Sequence, residues 1–108
     1  MAISATLEAR STAILNDMDN LATAAKKGAR KVAKKPAYQG PLNLADRMHI
    51  RVFQKQENLA KATRRRYMGK LEEFRINHDE EGFTATLEQA TTEYDKMRRV
   101  FNNFKSRL

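Results

Sequence analysis

The sequence predicts an all-α fold. Three helices over about residues 4–35, 44–76 and 84–108 form one helical domain, 1–108, with loops at 36–43 and 77–83. Three observations predict it. The only prolines, Pro36 and Pro41, flank Gly40 in a single break, "KKPAYQGPLN". Proline removes an amide donor and disfavours helix in the residue before it. Apolar residues recur at helical spacing in each remaining segment, and no stretch alternates apolar and polar as a half-buried strand would.

In the first segment Leu7, Ile14 and Leu21 repeat every seven residues, with Met18, Ala25 and Val32 on companion positions. The stripe is thin, because Ser11 and Gly28 interrupt it and alanines fill much of the rest; small residues permit close approach of another helix. The second segment opens with Asn43 at the N-cap position and Asp46 in the first turn, where a carboxylate suits the helix dipole. Met48, Val52, Leu59, Tyr67, Leu71 and Phe74 drift around one face. At 1.5 Å per residue this helix is about 50 Å long, so part of it is expected to bend or project. The break before the third segment, "NHDEEGFT", contains Gly82, expected to take the positive φ of a turn. The third segment carries the fullest stripe. Leu87, Ala90, Tyr94, Met97, Phe101, Phe104 and Leu108 fall at alternating spacings of 3 and 4, a coiled-coil-like packing seam.

These stripes imply a three-helix bundle, or a long helical hairpin whose core a partner chain completes. Protein partners or self-association are therefore expected.

Charge points to the kind of partner. The 108 residues hold 21 Lys and Arg against 13 Asp and Glu, a net charge of +8. Such an excess favours polyanions. The charge is also blocked: residues 26–35 carry six bases and no acid, residues 67–95 eight acids and two bases, residues 96–108 five bases and no acid. Blocks of opposite sign let neighbouring helices or neighbouring copies satisfy one another.

The candidate nucleic-acid-binding residues follow from these blocks. "KKGARKVAKK" places Lys27, Lys31, Lys34 and Lys35 near one side of a helix end. Arg47, Arg51 and Lys55 form an i, i+4, i+8 ladder, and Arg64, Arg65 and Arg66 follow. A ladder of cations can track phosphates and release their counterions. The arginine triplet cannot face one way on a helix, so it suits bridging surfaces better than reading bases. Nothing supplies a base-reading code.

Several classes are disfavoured. No segment has the roughly 20 apolar residues of a membrane span, and the first residues lack the basic start and apolar run of a secretory signal. The "KKGARKVAKK" end lacks the bulky apolar face of a membrane-surface helix. With no cysteine, disulfides, thiol nucleophiles and cysteine–zinc sites are excluded, which fits an intracellular, reducing compartment and is compatible with an organelle or a virion. His78 beside Asp79, Glu80 and Glu81 lacks the alternating oxygens of a calcium loop and reads as a polar interhelical loop. His49, among arginines, reads as a surface or half-buried histidine. Glu72 and Glu73 point about 100° apart on a helix and form no carboxylate pair. No glycine-rich phosphate loop exists. The sequence points to no metal, no cofactor and no enzymatic activity.

The run "RRYMGKLEEFRIN", residues 65–77, resembles a segment of bacterial-type large-subunit ribosomal protein twenty. Met68, Lys70, Leu71, Arg75, Ile76 and Asn77 match, and Leu87, Ala90, Glu93, Asp95 and Lys96 are similar to that family's following helix. The chain departs from the family at Glu72 and Glu73, where Trp-Ile is expected, at Gly69, and in its less basic N-terminal arm. The resemblance, over residues 65–96, implies an RNA-embedded assembly protein.

The function expected is a non-enzymatic, basic helical subunit of a larger assembly that contacts RNA or another polyanion. The alternative is a helical adaptor or structural protein of a protein-only assembly, such as a virion, secretion apparatus or respiratory complex.

Overall fold

The computed structural model describes residues 2–108. Helix α1 spans Ala5–Ala33, α2 Leu44–Ile76 and α3 Glu80–Ser106, with a 3-10 turn at Ala37–Gln39 before α2. They pack as an up-down-up three-helix bundle measuring 62 × 19 × 18 Å. Contacts along its length fix the antiparallel register: Lys35 with Asp46 at one end of the α1–α2 pair, Arg64 with the Leu15 carbonyl near the middle, Arg75 with Glu8 at the other end.

Each helix starts where its side chains satisfy the free amides. The Ser4 hydroxyl accepts from Leu7 N at 3.3 Å. Asn43 and Asp46 close a capping box, each side chain accepting from the other's backbone at 2.8 and 3.0 Å. The carboxylate of Asp79 accepts from Gly82 N at 2.9 Å, and Glu80 and Glu81 occupy the first turn of α3.

That last cap corrects the expected boundary. α3 begins at Glu80, four residues before the predicted start, and Gly82 is helical rather than a turn residue. Its small size is what matters: a Cβ there would lie 2.4 Å from the Phe74 ring. The left-handed residue of the turn is His78, at φ 53°. Around it Asp79 N donates to Phe74 O and His78 N to Arg75 O, the paired bonds of a Schellman motif. The outer limits shift less: α1 ends at Ala33 rather than 35, and α3 at Ser106 rather than 108.

The core has two parts. Ile14, Met18, Tyr67, Leu71, Phe83, Leu87 and Ala90 fill one half. Leu21, Ala22, Ala25, Ala29, Phe53, Ala60 and Phe101 fill the other. Large meets small in the second half. The Phe53 ring rests on Gly28, whose missing Cβ would fall 2.6 Å from it, and packs edge-on against Phe104 with ring centres 4.9 Å apart. The thin stripe of α1 is therefore the recess into which the aromatics of α2 and α3 fit.

The third seam lies inward as far as Phe104: Leu87, Ala90 and Phe101 are buried and Tyr94, Met97 and Phe104 half-buried, whereas Leu108 lies beyond α3 and is exposed. On α2 the expected face is partly wrong. Met48 and Leu59 are more than half exposed, while Phe53 is buried. Phe83, assigned to a loop by sequence, is fully buried in α3. α2 does not project alone, because α1 and α3 are nearly as long.

Two glycines should respond in opposite directions to alanine. Gly28→Ala gains helix propensity of up to ~1 kcal/mol but drives a methyl into the buried Phe53 ring, where overpacking costs ~1–3 kcal/mol. A net loss of about 1–2 kcal/mol is expected by urea unfolding. Gly69→Ala meets nothing within 4 Å, so it should gain about 0.5–1 kcal/mol from the helix backbone alone. A stable Gly28→Ala would show that α1 and α2 do not approach this closely.

Candidate functional site

The antiparallel fold gathers charge blocks that are distant in sequence. The C-terminal half of α1, the N-terminal half of α2 and the C-terminal half of α3 run together toward one end. Residues 26–55 and 96–108, which make up that part of the bundle, hold fourteen bases and one acid. Toward the opposite end, residues 2–12 and 68–90 hold seven acids and three bases. The charge is thus polarised along the 62 Å axis.

Few of the fourteen bases are neutralised. Among the described residues, their ion pairs are Lys35 with Asp46 at 3.0 Å and Arg98 with Asp95 at 3.8 Å. Lys27 and Lys31 stand exposed on α1 and Lys34 at its C-cap, and Arg30, which sequence reasoning did not single out, joins Lys27, Lys31, Lys34 and Pro36 around one shallow depression. Its signal was present in the spacing, since Arg30 lies three residues after Lys27 and four before Lys34, one helical neighbourhood. Arg47, Arg51 and Lys55 are exposed on α2, rising about 6 Å per step. Tyr38, in the 3-10 turn between the two groups, is 87 % exposed.

Lys35 belongs to a different category. Its ammonium binds the Asp46 carboxylate, whose other role is to cap α2, and so it staples the α1–α2 connection. The Asn43 amide and Lys35 together hold the Asp46 carboxyl below its ordinary pKa.

The arginine triplet is split three ways. Arg64 Nε donates to the Leu15 carbonyl of α1 at 3.2 Å. Arg66 pairs with Glu93 of α3 and lies 5.1 Å from the Tyr67 ring centre. Arg65 is exposed, with no ion pair among the described residues. The triplet reaches three ways: Arg64 to a part-buried carbonyl of α1, Arg66 through an exposed hydrogen bond to a carboxylate of α3, and Arg65 to solvent.

At the basic end a cleft of about 660 Å³ opens beyond the last turn of α3. Val32, Pro36 and Phe53 contribute its apolar walls, His49 lines it beside the Phe104 ring, and Lys31, Lys105 and Arg107 bring cations to it. Lys105 and Arg107 were not singled out by sequence, because their proximity to α1 appears only on folding. No group of three or more potential metal ligands occurs among the described residues. No helix among them is long and apolar enough to cross a membrane.

The Asp46 staple carries a pH signature. A carboxyl whose pKa is depressed by folding contributes stability above its unfolded value, and that contribution is lost as pH falls through the folded value. Asp46→Asn should lower the thermal midpoint at neutral pH, and the gap should close as the pH falls below the carboxyl's ordinary range and through its lowered folded value. A gap independent of pH in thermal melts would show that the charge on Asp46 is not what matters.

Comparison with protein-family models, with curated proteins and with solved structures returns no match, so the geometry of this polarised bundle is what a functional reading rests on.

Proposed function

We propose that the chain is a non-enzymatic helical subunit that contacts RNA or a similar polyanion through its basic half. The observation that carries this reading is the set of unneutralised cations along α1 and α2: Lys27, Arg30 and Lys31 on one helix with Lys34 at its C-cap, and Arg47, Arg51 and Lys55 on the other. Each phosphate that such a cation neutralises releases condensed counterions, and this drives association without reading sequence. The exposed Tyr38 ring between the two groups offers a stacking face, as single-strand binders use. The resemblance of residues 65–96 to ribosomal protein twenty favours RNA among polyanions.

Of the residues expected to bind, Lys35, Arg64 and Arg66 are occupied by Asp46, the Leu15 carbonyl and Glu93. The reading therefore rests on the α1 and α2 groups and on Arg65, rather than on the triplet as a unit. A second reading, a structural subunit of a protein-only assembly, draws on the opposite charge of the two halves.

Two triple variants test the polyanion reading: Lys27→Gln/Arg30→Gln/Lys34→Gln and Arg47→Gln/Arg51→Gln/Lys55→Gln. Each should weaken binding to a single-stranded RNA of mixed sequence and flatten log K against log salt by ~0.7 per lost phosphate contact. Arg75→Gln, which removes a guanidinium held between Glu8 and Glu72, should leave that slope unchanged. Unchanged slopes in both triple variants would remove the role.

A further inference from the structure

The cleft at the basic end has a counterpart at the other end of the same molecule. The turn between α2 and α3 projects there. Ile76 is 66 % exposed on it, and Glu72, Glu73, Asp79, Glu80 and Glu81 around it are all exposed. An exposed aliphatic residue thus lies within five residues of five exposed carboxylates at one end, of which Glu72 is held by Arg75; at the other end opens an apolar cleft edged by Lys31, Lys105 and Arg107, in which the one carboxylate, Asp46, is already paired with Lys35. We propose that the cleft receives the acidic α2–α3 turn of a second copy, so that the chain associates head to tail.

Three physical points fix the character of this contact. Ile76 leaves water against Val32, Pro36 and Phe53, while the carboxylates approach the cleft's cations; charge complementarity thereby sets register and partner choice. The two surfaces are unlike, so the contact is heterologous. It leaves a free cleft and a free turn at the two ends of any oligomer, giving open chains rather than a closed dimer. The cross-section is only 19 × 18 Å. An end-on contact therefore buries a few hundred Å² per copy, below the roughly 800 Å² per partner of a standard interface. Association is weak, and grows with concentration. It also weakens with salt, since the screening length falls from about 10 Å at 0.1 M to about 3 Å at 1 M.

The test is sedimentation of the full chain at rising concentration in both salts, with small-angle scattering for the long dimension. At low salt the mean mass should climb with concentration, and the maximum dimension should grow in steps of about one bundle length, 62 Å; at high salt both should stay at the single-chain value. Two variants with exposed substitutions block one surface each. Lys105→Gln/Arg107→Gln disables the cleft and Ile76→Asp disables the turn. Each alone should remain monomeric, with unchanged far-UV circular dichroism. Mixed in equal amounts, the intact turn of the first should enter the intact cleft of the second, giving a twofold mass and no further growth. Constant mass at low salt, continued growth in either variant, or a mixture that fails to pair would overturn the proposal. Neither variant touches Lys27, Arg30, Lys34 or the Arg47–Lys55 ladder, so RNA binding should survive both, and the two readings fail separately.

Discussion

The close approach of α1 and α2 is the constraint on which the rest of this bundle depends. Gly28, flanked on the buried face by Ala25 and Ala29, lets the Phe53 ring rest on the backbone of α1. Phe101 and Phe104 then pack against Phe53, so the end of α3 is positioned by the same recess. Dispersion and apolar burial are largest where atoms interdigitate without voids, and a large ring against small residues achieves this with few side chains. The consequence is electrostatic. The same contact brings the basic C-terminal half of α1 alongside the basic N-terminal half of α2, and like charges accumulate because packing dictates it. Among the described residues, Lys35 with Asp46 is the one ion pair that links the two at that end, and it ties the connection rather than neutralising the surface.

How much of this the sequence disclosed depends on which physical signal each residue sends. Number, type and order of helices were legible, because prolines and spacing act locally. The third seam was legible as far as Phe104, since every position in it is apolar. Phe83 was not. It follows an Asp-Glu-Glu-Gly run that reads as a loop, yet Asp79 caps the helix three residues before Gly82 and the two glutamates suit its first turn. The glycine was misread as a conformational requirement when it is a spatial one, leaving room for Phe74. Phe53 was missed for a related reason. Its partner on α1 is a glycine, and a hydrophobic stripe cannot register the residue whose contribution is to be absent.

The arginine triplet shows the limit of adjacency as a functional signal. Three consecutive cations look like one patch, but successive residues on a helix turn by about 100°. Arg64 meets α1, Arg66 meets α3 and Arg65 meets solvent. Residues far apart in sequence make the denser patch instead: Lys31 of α1 and Lys105 of the last turn of α3 line one cleft. For the same reason the block charges were readable while their arrangement was not. Blocks can cancel across a bundle or segregate along it, and only the antiparallel register decides. Here α2 runs Arg47, Arg51 and Lys55 beside the basic half of α1, and its last turns, with Glu72 and Glu73, beside Glu8 and the acidic start of α3.

Segregation of this kind gives the molecule a direction. A polyanion that covers the basic half is repelled by the carboxylates around the α2–α3 turn, so a bound chain presents that turn outward. The outward end is also where an aliphatic residue, Ile76, is left exposed. Burying it against an apolar partner is favourable at ~25 cal/mol per Å², and carboxylates around it select a cationic partner over an anionic one. The proposed polyanion contact through the sides of α1 and α2 and the proposed protein contact through the ends thus call on different surfaces of one rod. They are coupled through Lys31, which lies in both the α1 depression and the end cleft. A phosphate held by Lys31 weakens the cleft's attraction for an acidic turn, and a turn seated in the cleft withdraws one cation from the polyanion. The sign of that coupling is negative from either direction, as linkage requires.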